Sequence, residues 1–161
     1  MERIAAIVTA LWDWAIAAYR DEETARLCLE LQDRHGQQVC LTLWAAWAAG
    51  RGSVDDDTVE AAVDIARAWE TATLAPLRAV LRTLKKPVPD MLDEPRLSVR
   101  DRIKGVELAA ESALLNALAQ EAAPTPGPAT DSVALMVRAA RLWGEPTPRP
   151  TLVSLAQRLP A

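Results

Sequence analysis

The sequence predicts an all-α protein: a single helical bundle of about six helices around a buried third helix, with a Pro-rich C-terminal extension. Three observations predict it. Half of the 161 residues are hydrophobic and none is Phe; the apolar share is mostly Ala and Leu, which favour helices, while the residues that favour strands are scarce. Apolar residues recur at i, i+3, i+4 and i+7 in one window after another, the period of a half-buried helix. Finally, the segment Val39–Ala49 (VCLTLWAAWAA) leaves almost no polar face, and a helix that is apolar all round is buried all round. A chain of this length forms one domain and buries roughly 70% of the surface its unfolded form exposes.

Each element follows from its own spacing. A first helix is expected from about Arg3 to Tyr19, with Ile4, Ile7, Val8, Leu11, Ala15 and Ala18 on one face and Trp12 and Trp14 widening it. Asp21 is placed to cap a second helix, whose first turn carries Glu22 and Glu23 at the positive end of the dipole. That helix turns Leu27, Cys28 and Leu31 inward and stops at His35-Gly36, where glycine can take the left-handed cap conformation. Gly50 and Gly52 end the third helix. Asp57 and Glu60 have the spacing of a capping box for a fourth, which points Val59, Ala62, Val63, Ala66 and Trp69 inward. Pro76 falls inside a pattern that Leu77, Val80, Leu81 and Leu84 resume, predicting one long helix kinked at Pro76 or two helices broken just before it.

Residues 87–95, with three prolines, read as a linker, and a fifth helix is expected to begin near Ser98 and to bury Ile103, Val106, Ala110, Leu114, Ala117 and Leu118. The run Pro124–Pro128 is a second break. A short helix from about Asp131 to Trp143 follows, then Pro146, Pro148 and Pro150, and a last helical piece carrying Leu152, Val153, Leu155 and Leu159. Short early linkers imply that consecutive helices are antiparallel neighbours. Residues 1–123 are therefore expected to form the helical core, and residues 124–161 a Pro-punctuated tail that packs on that core or on a partner.

The net charge of −4 argues against a dedicated nucleic-acid binder. The charge is uneven: residues 1–75 carry a net −7 and residues 76–161 a net +3, an asymmetry suited to complementary packing or an acidic partner. Cys28 and Cys40 lie in apolar helical patterns, as reduced, buried thiols do; two cysteines without further ligands make no zinc site. The start, Met1-Glu2-Arg3, lacks the features of a signal peptide, and no uncharged apolar run is long enough to span a bilayer. The expected location is the cytoplasm, away from any membrane.

One set of residues resembles a known pattern. It comprises Leu11-Trp12-Asp13-Trp14, Tyr19, the run Cys28 to Gly36 with its L-Q-D-x-H-G turn, Val39, and Leu43 to Trp47. Leu77 to Arg82, Ile103-Lys104 and Glu107 to Glu111 add to it. Over about residues 10–120 the chain resembles a family of small proteobacterial proteins of unknown function with a Trp-rich first helix. The resemblance implies no activity.

Candidate chemistry is sparse. A polar pocket is conceivable from Gln32, Asp33, His35, Glu107 and Glu111. His35 is the single histidine, and Asp33 with His35 has the composition of a general base and its orienting carboxylate. Residues two apart on a helix do not face each other, so a helix-end role for both is the plainer reading. Glu107 and Glu111 share a helix face, but no Glu has a His three residues later as di-iron bundles require; ion pairing with Arg78, Arg82 or Lys104 is the alternative. Arg78, Arg82, Lys85, Lys86, Arg100 and Lys104 compose a candidate basic patch for phosphate, without interleaved aromatics for base stacking. The Trp residues are expected to fill the core against small Ala side chains.

No nucleotide-binding, zinc-protease, redox-dithiol or serine-hydrolase motif occurs. The sequence thus points away from an enzyme, a metal or a cofactor. It points towards a helical interaction module that docks another protein or itself. A small-molecule-binding protein or enzyme with a polar pocket near the Asp33/His35 turn, and weak nucleic-acid binding through residues 78–104, are the alternatives.

Overall fold

The computed structural model describes the backbone of residues 2–144 and 146–161, and the side chains of that span from Ala10 onward. Its elements are α1 (Glu2–Tyr19), α2 (Glu22–His35), α3 (Val39–Ala49), α4 (Asp56–Trp69), a π-helical turn (Glu70–Leu74), α5 (Ala75–Lys85), α6 (Asp93–Glu121), α7 (Ser132–Trp143) and α8 (Arg149–Ala156). The fold is all-helical; among the described residues there is no strand, only an isolated antiparallel bridge between Ser53 and Thr125. Ile4, Ile7 and Val8, assigned by spacing to the apolar face of the first helix, lie outside the described side chains.

The helix ends follow from local chemistry. The Asp21 carboxylate accepts from the Thr24 backbone N–H at 2.9 Å and so caps α2. Gly36 closes that helix with φ 59 and donates its N–H to the Leu31 carbonyl, a left-handed conformation that costs glycine nothing. Gln38 caps α3 through its side-chain oxygen, 3.2 Å from Leu41 N. The cap of α4 differs from expectation: Asp55, not Asp57, accepts from Thr58 N at 2.8 Å, and Asp57 sits inside the first turn. The start of α6 also differs, by about a turn and a half. It begins at Asp93, ahead of the expected Ser98, because Pro95 lies in the first turn, where its missing N–H has no intrahelical partner to lose. The connection from α5 to α6 is correspondingly shorter. Arg96, 4% exposed, reaches back to bond the Leu84 carbonyl at the end of α5 and is held by Asp93 at 2.8 Å.

α3 occupies the centre. Of its 11 residues only Ala46 is less than fully buried. Trp44 has no exposed surface, and its indole N–H donates to the Ala122 carbonyl at the end of α6, 3.1 Å away. The covering helices are remote in sequence: α7 packs most extensively on α3, and α6 packs on α1, α3, α4 and α5. Consecutive early helices do touch, as the short linkers predict, but their larger contacts lie elsewhere. α1, α2, α3 and α4 touch their sequence neighbours only modestly, because a helix apolar on every side needs more partners than two short loops supply.

Residues after Ala123 bury their apolar side chains against the rest of the chain. Leu135 and Met136 of α7 and Leu152 and Leu155 of α8 belong to the same core cluster as Trp44. Several polar links fix this segment, among them these: Ser53 and Thr125 exchange backbone hydrogen bonds of 3.0 and 2.9 Å, the Trp143 indole donates to the Gly36 carbonyl at 2.8 Å, and the Trp14 indole donates to the Pro160 carbonyl at 3.1 Å. The Ser53–Thr125 clasp requires glycine beside it. A Cβ on Gly52 would lie 2.3 Å from the Thr125 carbonyl oxygen. Gly52→Ala is accordingly expected to lower the stability measured in a urea titration by about 1–3 kcal/mol, the usual cost of overpacking.

Of the two expectations at Pro76, the helix is not broken before it: α4, the π turn and α5 follow one another without interruption. The chain stays helical throughout, and the π turn absorbs the proline: Ala75 N–H bonds Glu70 O, five residues back, so Pro76 enters at the first turn of α5. A π turn inserts one residue into a helix and rotates everything after it, which decides what Arg78 meets. No helix among the described residues is long and apolar enough to cross a membrane.

Candidate functional site

Arg78 of α5 lies at the centre of three carboxylates. Its Nη1 is 3.2 Å from Glu70 Oε1, its Nε 3.0 Å from Glu107 Oε1, and its Nη2 3.2 Å from Glu111 Oε1. Its side chain is 15% exposed. The π turn makes this possible. In a regular α-helix a residue eight positions on is rotated by about 80° from the first; one inserted residue cuts that to about 20°, on the same face. Glu70 and Arg78 therefore align, and Glu107 and Glu111, one turn apart on α6, close the cluster from the opposite helix. The Gln38 amide donates to Glu70 Oε2 at 3.2 Å, tying the capped start of α3 to the same group. Three carboxylates around one guanidinium leave the cluster anionic. Desolvation raises the pKa of Glu111 above the ordinary carboxyl value; the Glu107 and Glu70 charges act in the same direction and Arg78 opposes them.

Beside this cluster lies a cavity of about 570 Å³ between α1, α2, α3 and α6. Its walls are apolar and aromatic, including Trp12, Ile16, Leu43 and Leu115, and Gln32, Glu107 and Glu111 bring polar groups to it. Tyr19 stands at the mouth, 43% exposed; desolvation of its hydroxyl, with the neighbouring Cys28 and Cys40 thiols acting in the same direction, raises its pKa far above the usual value. Cys40 lines the cavity. A second, shallower space of about 280 Å³ lies across the cluster, lined by Gln32, Asp33, Glu70, Arg78, Arg82 and Trp143 among others. The cluster is thus a wall with a cavity on each side, and Gln32 reaches both.

Of the five residues the sequence offered for a polar pocket, Gln32, Glu107 and Glu111 line the larger cavity together. Asp33 is exposed and borders the shallower one. His35 is half-buried at the end of α2 and lines neither. Of the six candidate basic residues, Arg78 is enclosed by glutamates, and Arg100 Nε is turned towards the Leu81 carbonyl at 3.4 Å; Arg82, Lys85, Lys86 and Lys104 are exposed. Sequence reasoning missed Glu70, Tyr19 and Cys40 as site residues. The signal for Glu70 was Pro76, six residues later: a proline within an uninterrupted apolar period marks where a helix must gain a residue. Among the described residues, no group of three or more His, Cys, Asp or Glu side chains is arranged to hold a metal; in the glutamate cluster the guanidinium occupies the middle.

Cys28 and Cys40 are free and buried. Burial pushes the Cys28 thiol up to about 11, with the Tyr19 hydroxyl opposing, and pushes Cys40 higher still, with Glu111 adding to desolvation. Thiolates are the reactive species, so neither cysteine is expected to react with a disulfide reagent within minutes at about pH 8 in the native protein. Both are expected to react at once in denaturant, as absorbance of the released chromophore would report.

No curated protein and no solved structure matches the chain. A family model does, over residues 10–118, which span α1 from Ala10, every helix lining the larger cavity, and all four members of the Arg78 cluster. By that match the chain belongs to DUF2390, a family of proteins of unknown function.

Proposed function

We infer that the protein is a binding protein whose working site is the cavity between α1, α2, α3 and α6. The observation that carries this reading is an unfilled, apolar-walled space of about 570 Å³ beside an anionic, partly desolvated cluster. Ligand sites are typically clefts of this size, mostly apolar, with a few converging polar groups, and perturbed carboxyls gather at such places. Ile16, Leu29 and Leu108 are exposed around the mouth, where a bound apolar body would cover them. The test is a fragment screen by ligand-detected NMR on the full chain, repeated with Leu43→Trp to fill the cavity. Hits that the substitution abolishes support the reading. Hits unaffected by it, or none, count against it.

A protein-docking reading rests on a different observation. The tail no longer motivates it, because Leu135, Met136, Leu152 and Leu155 are buried within this chain. The helical hairpin of α5 and α6 does: Met91, Leu97 and Val99 are exposed, and Leu92 is 77% exposed. Light scattering across a concentration series tests self-association through this tip. Loss of any dimer in Leu92→Asp would support it, and a monomer at every concentration would not.

A further inference from the structure

We propose that the ligand of the larger cavity is a small organic cation, an ammonium or guanidinium on an apolar, preferably aromatic, body. This rests on the cavity being a binding site, and the argument for the cation is separate. Glu107 and Glu111 both line the cavity, and both are joined to Arg78 through Oε1. Among the described hydrogen bonds and ion pairs, Oε2 of each is engaged by nothing. Arg78 is shared with Glu70, so one guanidinium offsets three carboxylates and the wall of the cavity carries surplus negative charge. The upward displacement of the Glu111 carboxyl agrees with this: desolvation and the neighbouring glutamates outweigh what Arg78 offsets. A second cation would relieve it.

The remaining walls suit the rest of such a molecule. Trp12 and Tyr19 offer aromatic faces, which attract ammonium and guanidinium groups and pack against apolar bodies. Gln32 adds an amide able to orient a polar group. An anionic ligand meets the opposite field. Among the described residues that line the cavity Arg20 is the one cation, and it stands exposed on the rim, where solvent screens it. A neutral ligand would leave the carboxylates beside it desolvated without a partner.

Three molecules of nearly the same shape separate the possibilities: phenethylammonium, phenethyl alcohol and phenylpropionate, each titrated calorimetrically into the full chain. The ammonium is expected to bind at least about tenfold more tightly than the alcohol, because it adds an ion pair to the hydrogen bond that either donor can give a carboxylate, and the carboxylate least tightly. In Glu111→Gln, which keeps an oxygen for Arg78, the ammonium is expected to lose more affinity than the alcohol, so that its advantage falls to about threefold or less. Glu107→Gln provides an independent second variant, and a thermal melt of each confirms that it is folded. Equal binding of ammonium and alcohol overturns the cation assignment and leaves the cavity a binding site. An advantage that survives both substitutions overturns the assignment to these carboxylates. Failure of all three molecules to bind overturns the binding-site reading itself, and the cation assignment with it.

Discussion

Trp44→Ala is expected to leave the protein largely unfolded under conditions where the unchanged chain is native. Trp44 is fully buried at the middle of the central helix, and removing a buried Trp costs about 3–5 kcal/mol through lost transfer energy and the cavity left behind. The Ala122 carbonyl would also lose the indole donor that reaches it at 3.1 Å, adding about 1–3 kcal/mol for a buried acceptor without a partner. The total is comparable with the whole stability of a typical domain, about 5–15 kcal/mol. Trp44→Phe separates the two contributions, retaining much of the volume but not the donor; it is expected to fold and to lose about 1–3 kcal/mol. Far-UV circular dichroism with urea titration measures both. A Trp44→Ala protein as stable as the original would show that α3 is not the centre on which the fold is built.

Arg78→Met is expected to have the second-largest effect. It leaves Glu70, Glu107 and Glu111 facing one another without a cation, and breaking a buried ion pair by removing one partner costs about 3–5 kcal/mol. The carboxylates are 21–31% exposed, so solvent takes part of that, and about 2–4 kcal/mol is expected. The effect should depend on pH with a definite sign. Without Arg78 the Glu111 carboxyl, already raised by desolvation, loses the cation that lowers it and rises further above its unfolded value. A carboxyl raised by folding favours the folded state below its unfolded value, about 4.3, and that contribution is lost as pH rises through the folded value. The variant's deficit should therefore be largest at neutral pH and shrink as the solution is taken towards about pH 4–5. Urea midpoints of both proteins across that range check it; a deficit independent of pH would mean that Arg78 acts by packing alone. Arg78→Lys is not an adequate substitute, since one ammonium cannot meet three carboxylates in the directions a guanidinium fork does.

How much of this was legible in the sequence differs from element to element, for physical reasons. The central position of α3 was readable because a helix without a polar face has one stable environment. The caps at Asp21 and Gly36 were readable because each depends on a few consecutive residues. The sequence places the start of α6 too late because Pro95 reads as the end of a linker, although a proline in a first turn is compatible with the helix. Glu107 and Glu111 were readable as a pair because residues four apart share a helix face, and they line one cavity with Gln32. Glu70 did not stand out, since its partnership with Arg78 rests on the π turn, and ordinary helical counting puts the two on different faces. Nor did the larger helix contacts follow from loop length. The contacts of α3 with α7, and of α1 with α6, are set by which apolar faces remain uncovered, a property of the whole chain.

The remoteness of those covering helices bears on biosynthesis. α3 ends at Ala49, while the helix that packs most closely on it begins at Ser132. A ribosome adding about 5–20 residues per second would hold this greasy segment outside its exit tunnel for on the order of ten seconds before α7 emerges to shelter it. Until then the nascent chain cannot acquire its native centre, and a chaperone that shields hydrophobic stretches during translation has a defined client segment in residues 39–49. Chains released before α7 is made would present that same surface to one another, and aggregation is their expected fate.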